Sequence, residues 1–242
     1  MVEVFFNSSA GRIEGQCYYA EDKKAPLALI LHPHPNYGGS MNNKVVFALY
    51  KAFAKSGFTT LRINFRGVGR SQGSFDNGVG ELIDASTALD WLQNAQSFTS
   101  KIWVAGFSFG AWIASQVAMR RPEVNNFILV SPPVNKYDFS FLSPCPIPGL
   151  IVHGTKDSTV PEMQVLSFAA KLSDQKGTDV TYKGINNADH FFRDDLENLE
   201  AIIMEYIQDE INNQEKTQQA NQDHSINKNS SGKDFKNTIL LD

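Results

Sequence analysis

The sequence predicts an α/β fold, in which a mostly parallel sheet carries helices on both faces. Short apolar runs alternate with amphipathic stretches along most of the 242 residues, as expected when parallel strands are joined by crossover helices. A composition of 42% hydrophobic residues supplies a substantial core, and the length fits one large domain. The sequence contains no repeat of fixed period, which excludes solenoid and propeller architectures.

The individual elements follow from the hydrophobic pattern, taken in chain order. Apolar runs bounded by Gly, Pro or polar residues predict strands over residues 2–6, 13–19, 27–31, 59–65, 102–105, 127–131, 150–153 and 180–185. Apolar residues spaced three and four positions apart predict helices over residues 45–55, 81–93, 110–121, 162–172 and 195–211. Gly57 is suited to end the first of these helices, and Pro122 is suited to end the third.

The composition changes after Ile211, where Asn, Gln, Lys, Ser and Asp replace the apolar residues. A segment of this kind cannot bury enough apolar surface to fold alone. We therefore predict a folded domain over residues 1–211 and a disordered tail over residues 212–242. The apolar end Ile239-Leu240-Leu241 could serve as a docking peptide, although a short apolar terminus without another signal is usually incidental.

The net charge of −4 gives the chain no broad basic field of the kind that holds nucleic acid or an anionic membrane. No apolar run approaches the roughly 20 residues that span a bilayer, and the first residues lack the basic segment and cleavage site of a signal peptide. We expect a cytoplasmic protein that acts on a small molecule and binds neither nucleic acid nor a membrane. Cys17 and Cys145 are too few for a disulfide framework and are expected to be reduced thiols.

A glycine-flanked serine lies between a predicted strand and a predicted helix. The segment Gly106-Phe107-Ser108-Phe109-Gly110 matches the G-x-S-x-G nucleophile elbow, a sharp turn that projects a serine hydroxyl from the sheet edge. Gly106 and Gly110 allow the strand and the helix to approach closely, and the helix directs its positive end at the serine. An ordinary turn can contain the same five residues, so a catalytic Ser108 requires partners elsewhere in the chain.

Those partners are an imidazole that removes the serine proton and a carboxylate that fixes the tautomer of the imidazole. In a sheet of this kind they are expected in loops after later strands, in the order Ser, Asp, His. Asp157 follows the seventh predicted strand and His190 follows the eighth. We predict Ser108 as nucleophile, His190 as general base and Asp157 as the orienting acid. Asp189 is the rival acid, but side chains adjacent in sequence seldom face one another well.

Two backbone N–H groups are also needed to stabilise the tetrahedral oxyanion. Phe109, directly after the serine, is predicted to supply one. In the loop after the third strand, Pro33 and Pro35 carry no N–H, so His34 is the predicted second donor. His32 and His34 form a His-x-His pair that could alternatively ligate a metal. The sequence offers no third ligand in register, so neither a metal nor another cofactor is expected.

Aromatic residues close to these segments in sequence are candidates for an apolar substrate pocket. They are Tyr37, Phe107, Phe139 and Phe191. Core packing is the alternative role for each of them. The connection over residues 132–148 is the place for a lid, and its length is too short for a large cap domain. We therefore expect a fairly open site.

Five segments of the chain match motifs of a known family: Leu31-His32-Pro33-His34-Pro35, Asn64-Phe65-Arg66-Gly67-Val68-Gly69-Arg70-Ser71, Gly106-Phe107-Ser108-Phe109-Gly110, His153-Gly154-Thr155-Lys156-Asp157 and Ala188-Asp189-His190. Through them the chain resembles the α/β-hydrolase superfamily, and more narrowly its small lidless bacterial members related to dienelactone hydrolases. The resemblance spans most of residues 1–211 and implies an α/β-hydrolase fold with about eight strands and hydrolysis of ester-like bonds through an acyl-enzyme. Dienelactone hydrolases carry a cysteine nucleophile where this chain has Ser108, so their substrate is not carried over.

The expected function is a serine hydrolase that cleaves a small carboxylic ester or thioester. Peptide or amide hydrolysis is the second possibility, because prolyl-peptidase-type enzymes use the same elbow and triad. A non-catalytic binding protein on the same fold is the third, since a fold does not by itself imply a function. The presence of Ser108, Asp157 and His190 in the required order favours an enzyme.

Overall fold

Strands and helices alternate along the part of the chain that the structure describes. The computed structural model describes residues 1–96, 99, 101–175 and 177–231. The strands are β1 (Val2–Ser8), β2 (Gly11–Tyr18), β3 (Leu27–Leu31), β4 (Thr59–Ile63), β5 (Ile102–Phe107), β6 (Val124–Val130), β7 (Gly149–Gly154) and β8 (Val180–Ile185). The helices are α1 (Lys44–Lys55), α2 (Val79–Ala95), α3 (Phe109–Arg120), α4 (Glu162–Ser173) and α5 (Leu196–Ser231), with short 3-10 helices at Pro35–Tyr37 and Ser140–Leu142. Within these residues, no helix combines the length and the apolarity needed to cross a bilayer.

The strands form an eight-stranded sheet in the order β1-β2-β4-β3-β5-β6-β7-β8. β2 runs antiparallel to both β1 and β4, and the remaining neighbouring pairs are parallel. This arrangement confirms the predicted mostly parallel sheet. Because parallel strands share one direction, the loops that follow β3, β5, β6, β7 and β8 emerge at the same edge. The predicted site residues lie in these loops, apart from Phe107, which ends β5, and Phe109, which begins α3.

Helices cover both faces of the sheet, as predicted. Every residue of β3 is buried, and its alternate residues Leu27, Leu29 and Leu31 join a core cluster with apolar side chains of α2, α3 and α4. Trp103 of β5 lies on the opposite face, where its ring centroid is 5.9 Å from that of Phe53 in α1. Burial on both faces explains why the central strands are continuous apolar runs in the sequence.

The observed bounds differ most from the predicted ones in α5. This helix continues to Ser231, past the predicted end at Ile211, so residues 212–231 are helical where the composition predicts a disordered tail. Gln, Glu and Lys are good helix formers, and the loss of apolar residues therefore did not mark the end of the helix. The chain divides into two compact units, Met1–Met204 and a second that begins at Glu205. The domain boundary at residue 211 stays a prediction, and residues 232–242 lie outside the described residues.

Candidate active site

Ser108 occupies a strained turn between β5 and α3. Its φ of 52° and ψ of −119° lie in a region that residues with a side chain seldom adopt, at a cost of about 1–3 kcal/mol. The Ser108 N–H donates to the Val130 carbonyl in β6 at 2.9 Å, which holds the turn in place. A Cβ on Gly106 would lie only 2.1 Å from the Gly110 carbonyl oxygen, so the turn requires glycine there. The geometry is that of a nucleophile elbow.

Three side chains from three different loops form a chain of hydrogen bonds. His190 Nε2 lies 3.2 Å from Ser108 Oγ, and His190 Nδ1 lies 2.6 Å from Asp157 Oδ2. Because a carboxylate only accepts, Nδ1 carries the imidazole proton and Nε2 is left as the acceptor for the serine hydroxyl. The structure therefore brings together the nucleophile, base and acid that the sequence predicts. The arrangement can remove the serine proton and hold it on the imidazole.

The Asp157 carboxylate is buried but well supplied with donors. Its Oδ1 accepts from the N–H groups of Thr159 and Val160 at 2.7 and 2.8 Å. Burial alone would raise the pKa of Asp157, but the hydrogen bonds from His190 and Val160 and the nearby histidine charges outweigh it, so the pKa is lowered. Asp157 is therefore ionised at neutral pH, as an acceptor for the His190 Nδ1–H must be.

The loops that carry Asp157 and His190 are packed directly on one another. A Cβ on Gly154, at the end of β7, would lie 2.5 Å from the Ala188 carbonyl oxygen, so a glycine is needed for this approach. The Lys156 N–H donates to the same Ala188 carbonyl at 3.0 Å. The His190 ring contacts two aromatic rings, with its centroid 5.1 Å from those of Phe107 and Phe191. These contacts fix the orientation of the imidazole toward Ser108.

Asp189, the rival acid, is engaged elsewhere. Its Oδ1 accepts from the N–H groups of Phe191 and Arg193 at 3.0 and 3.2 Å. Its Oδ2 lies 2.9 Å from the Arg193 guanidinium. The His190 Nδ1 is directed instead at Asp157. Asp189 therefore caps the loop after β8, and its geometry does not support a role as the orienting acid.

His32 holds the loop that carries the predicted second oxyanion donor. Its Nε2 accepts from the Phe65 N–H at 3.0 Å, so its Nδ1 carries the proton and donates to the Pro33 carbonyl at 2.6 Å. In a trans peptide the N–H points opposite to the carbonyl, so the His34 N–H is directed away from His32. Both ring nitrogens of His32 thus bind backbone groups, an arrangement that does not favour the alternative His-x-His metal pair.

The first turn of α3 packs against this loop. A Cβ on Gly110 would lie 2.3 Å from the Leu31 carbonyl oxygen and 2.5 Å from that of His32. The Phe109 N–H is the first amide of α3 and has no carbonyl partner within its own helix. The rings of His34 and Phe109 are also in contact, with centroids 5.0 Å apart. The two predicted oxyanion donors therefore lie on segments in direct contact beside Ser108.

A cavity of about 360 Å³ opens beside Ser108. Ser108, His190, His34 and Phe109 form part of its wall, together with Tyr37 and Phe191. Tyr37 is 82% exposed and Phe191 is 42% exposed, so both remain accessible from solvent. The cavity can hold a small substrate with its reactive carbon next to the serine oxygen.

Comparison with known proteins identifies the family. The family model described as X-Pro dipeptidyl-peptidase (S15 family) matches residues 12–228. The chain belongs to the S15 family.

Solved structures place the S15-family chain among the α/β hydrolases. A protein of unknown function from Agrobacterium tumefaciens shares 49% identity over 88% of this chain and 97% of its own, with a TM-score of 0.85. An α/β serine hydrolase homologue from Coxiella burnetii shares 39% identity over 85% of this chain and 96% of its own, with a TM-score of 0.79. A protein from Xanthomonas campestris, described as an α/β serine hydrolase without a lid, shares 30% identity over 86% and 93%, with a TM-score of 0.77. The S15-family chain is therefore a hydrolase of the α/β serine hydrolase type.

Two of the four aromatic residues predicted for the substrate pocket lie elsewhere. Phe107 is fully buried beneath the His190 ring, because it is the last residue of a strand covered on both faces. Phe139 packs in the core with Phe168, with ring centroids 5.2 Å apart. Core packing, the alternative role, thus applies to Phe107 and Phe139, whereas Tyr37 and Phe191 line the cavity.

From the loop after β6 the sequence interpretation chose Phe139 and missed the residues that line the cavity. Pro133, Lys136 and Tyr137 of this loop line the cavity, and so does Asn43 before α1. The signal that could have found the loop is topological, since β6 neighbours the strand that carries Ser108 and its carboxyl end shares the same edge. In the S15-family chain this loop adds the cavity wall beside α3.

Replacing Gly110 tests the packing between α3 and the loop after β3. We expect Gly110→Ala to lower the free energy of unfolding by about 2–3 kcal/mol, because the added methyl meets backbone oxygens that cannot move aside. Urea denaturation measures the change. Gly184→Ala is the matched control, since the nearest heavy atom there is at 3.4 Å, an ordinary contact. Equal stability of the two variants would contradict the prediction.

Burial of His32 predicts a loss of stability in mild acid. Burial lowers the pKa of His32 from 6.5 to about 4, with the Pro33 hydrogen bond opposing the shift and the His34 charge adding to it. As the pH falls, His32 is therefore protonated in the unfolded chain before it is protonated in the folded chain. The contribution of neutral His32 to stability is complete above pH 6.5 and is lost as the pH falls toward about 4. The expected loss is about 3 kcal/mol.

The His32→Gln variant isolates this contribution, because glutamine does not titrate and its amide oxygen can still accept a hydrogen bond. Urea denaturation at about pH 7.5 and about pH 4.5 should show a smaller acid loss in the variant than in the wild type. His34→Gln is the comparison at a partly exposed histidine of the same loop. Burial lowers the pKa of His34 as well, but this variant should reduce the acid loss less than His32→Gln. An acid loss that is the same in the wild type and His32→Gln would rule out this assignment.

Proposed function

We propose that this chain hydrolyses a small carboxylic ester or thioester through an acyl-enzyme on Ser108. The observation that carries the proposal is the hydrogen-bond chain from Asp157 through His190 to Ser108 in the wall of an open cavity. A serine hydroxyl is a weak nucleophile at neutral pH, and a neutral imidazole within hydrogen-bond distance makes it reactive.

In the proposed reaction, Ser108 Oγ attacks the carbonyl carbon while His190 Nε2 accepts the hydroxyl proton. The carbonyl oxygen becomes an oxyanion, which accepts hydrogen bonds from the N–H groups of Phe109 and His34. Collapse of the tetrahedral intermediate expels the alcohol or thiol, which takes the proton from His190. Water then attacks the acyl-enzyme with His190 as base, and the acid product leaves Ser108 free. Asp157 stabilises the imidazolium in each half-reaction and stays ionised.

The proposed substrate is a small molecule, and the reaction requires neither a metal nor an organic cofactor. The absence of a broad basic field in the sequence supports a protein that binds neither nucleic acid nor a membrane surface. We place its activity in the cytoplasm on the sequence evidence alone. Described residues between β6 and β7 include a 3-10 helix at Ser140–Leu142 and no longer helix, which supports an accessible site without a large cap.

Cleavage of an amide bond after an X-Pro dipeptide is the second candidate, and the S15 family match supports it. Such a substrate presents a free α-ammonium group, which is best held by a carboxylate. Among the described residues that line the cavity, none is Asp or Glu, and Lys136 adds a positive charge. The cavity therefore favours an ester over an X-Pro dipeptide.

The test combines an active-site label with a substrate panel. The full-length protein is treated with a fluorophosphonate probe, and the modified residue is located by peptide mass spectrometry. Turnover is measured with 4-nitrophenyl butyrate, with the corresponding thioester and with Ala-Pro 4-nitroanilide. We expect labelling of Ser108 and hydrolysis of the ester or thioester. Labelling with faster cleavage of the anilide would favour the second candidate, and a folded protein that is not labelled would support a non-catalytic binding role.

A further inference from the structure

The wall of the cavity carries a positive charge, whereas the net charge of the whole chain is negative. The chain carries a net charge of −4, yet Lys136 is the one Lys or Arg among the described residues that line the cavity, and no carboxylate lines it. The salt bridges of the described residues do not include Lys136, so no acidic side chain neutralises it. Asp157, the carboxylate of the triad, is buried and hydrogen-bonded to His190.

The backbone that carries Lys136 is fixed on both sides. The Lys136 N–H donates to the Pro133 carbonyl at 3.0 Å, which closes a turn after β6. Next to it, Tyr137 stacks on Trp112 of α3 with ring centroids 4.3 Å apart. Before it, the Asn135 side chain donates to the Thr159 carbonyl at 3.0 Å. The turn is thus tied to the helix of the nucleophile and to the loop of Asp157, and only the flexible stem of Lys136 is free to adjust.

Lys136 shares the cavity wall with His34, the second predicted oxyanion donor. Burial lowers the pKa of His34, and the charge of Lys136 lowers it further, so the ammonium acts on the loop of the second oxyanion donor. The leaving group must depart on the side of His190, because His190 protonates it. The acyl group remains on Ser108 in the same cavity, so an anionic group at the far end of the acyl chain can reach Lys136.

We propose that Lys136 selects substrates whose acyl part ends in a free carboxylate, so that the preferred substrates are monoesters of small dicarboxylic acids. This inference rests on the proposed function, because it assigns a substrate class to the same site. Lys136 is exposed at the cavity wall, and an ammonium group without a salt-bridge partner attracts an anion bound beside it. The same charge repels the ammonium end of an X-Pro dipeptide.

The test compares two esters that differ in one charge. The substrates are mono-4-nitrophenyl adipate, which carries a free carboxylate, and its methyl-capped diester, which is neutral and of similar length. Release of nitrophenol gives kcat/KM for each. For the wild type we expect a preference for the free acid of about tenfold or more, which falls as NaCl is added because salt screens the interaction.

Two substitutions at Lys136 then test its role. Lys136→Met should reduce the preference to near onefold, and Lys136→Glu should reverse it, so that the 4-nitrophenyl ester of 6-aminohexanoic acid becomes the better substrate. Lys44→Met removes the same charge from a neighbouring pocket lined by Asn43, Lys44, Phe191 and Arg193, and it should keep the preference.

A wild type that prefers the neutral ester would overturn the inference. So would an equal loss of preference in Lys44→Met and Lys136→Met, since a general positive field would then be responsible. In either case the fluorophosphonate probe still labels Ser108, and the proposed function stands. If neither ester is hydrolysed and Ser108 is not labelled, the proposed function fails together with the inference.

Discussion

Ser108→Ala is expected to lower kcat/KM for an aryl ester by about 10⁴-fold or more, the range found when the nucleophile of a serine triad is removed. The reason is geometric, since the hydroxyl oxygen lies 3.2 Å from His190 Nε2 and no acyl-enzyme can form without it. The measurement is nitrophenol release under single-turnover and steady-state conditions. Fluorophosphonate labelling of the same variant should be abolished.

Ser115→Ala provides a matched control in the same helix. Ser115 is buried, and its hydroxyl donates to the Trp112 carbonyl at 2.7 Å, so the substitution removes an equivalent group away from the cavity. Its kcat/KM should stay within about threefold of the wild type, as is usual for the loss of one local hydrogen bond. If Ser108→Ala is still labelled as fast as the wild type, another residue is the nucleophile.

Asp157→Asn is expected to lower kcat by about 10³- to 10⁴-fold while the protein stays folded. The asparagine oxygen can still accept from the N–H groups of Thr159 and Val160, which preserves the loop. Its amide N–H₂ then faces His190 Nδ1 and forces the proton onto Nε2, the nitrogen that must accept the serine proton. Circular dichroism and thermal unfolding establish the fold, and steady-state hydrolysis gives the rate.

The control for this prediction is Asp189→Asn. Asp189 contacts Arg193 and the backbone of its own loop, so its loss should change kcat by only a few-fold. A larger effect at Asp189 than at Asp157 would reverse the assignment of the acid.

The contacts among Ser108, Asp157 and His190 could be predicted because they depend on chain order and on sheet direction. Each residue directly follows a parallel strand or lies a few residues beyond its end, and the ends of parallel strands meet at one edge. The elbow glycines are also visible in the sequence, because the close approach at Gly106 and Gly110 leaves no room for a side chain. The preference for Asp157 over Asp189 follows from the poor geometry of adjacent side chains.

Features that depend on side-chain direction were harder to predict. Phe107 and Phe191 are both close to His190, but Phe107 lies beneath the ring in the core while Phe191 lines the cavity. Sequence distance does not distinguish these positions. Lys136 was missed because an exposed lysine in a loop carries no pattern of its own, and its place beside Ser108 is set by the turn after β6.

The site is assembled from strands with unequal protection against local opening. Ser108 follows β5, which has a neighbour on each side, whereas His190 follows β8, which forms the end of the sheet and pairs with β7 alone. A terminal strand can detach at a lower free energy than that of global unfolding. Detachment of β8 would carry the imidazole away from the serine while the centre of the sheet stays intact. Activity is therefore expected to decline at a lower urea concentration than the helical signal, and amide exchange in β8 is expected to be faster than in β5.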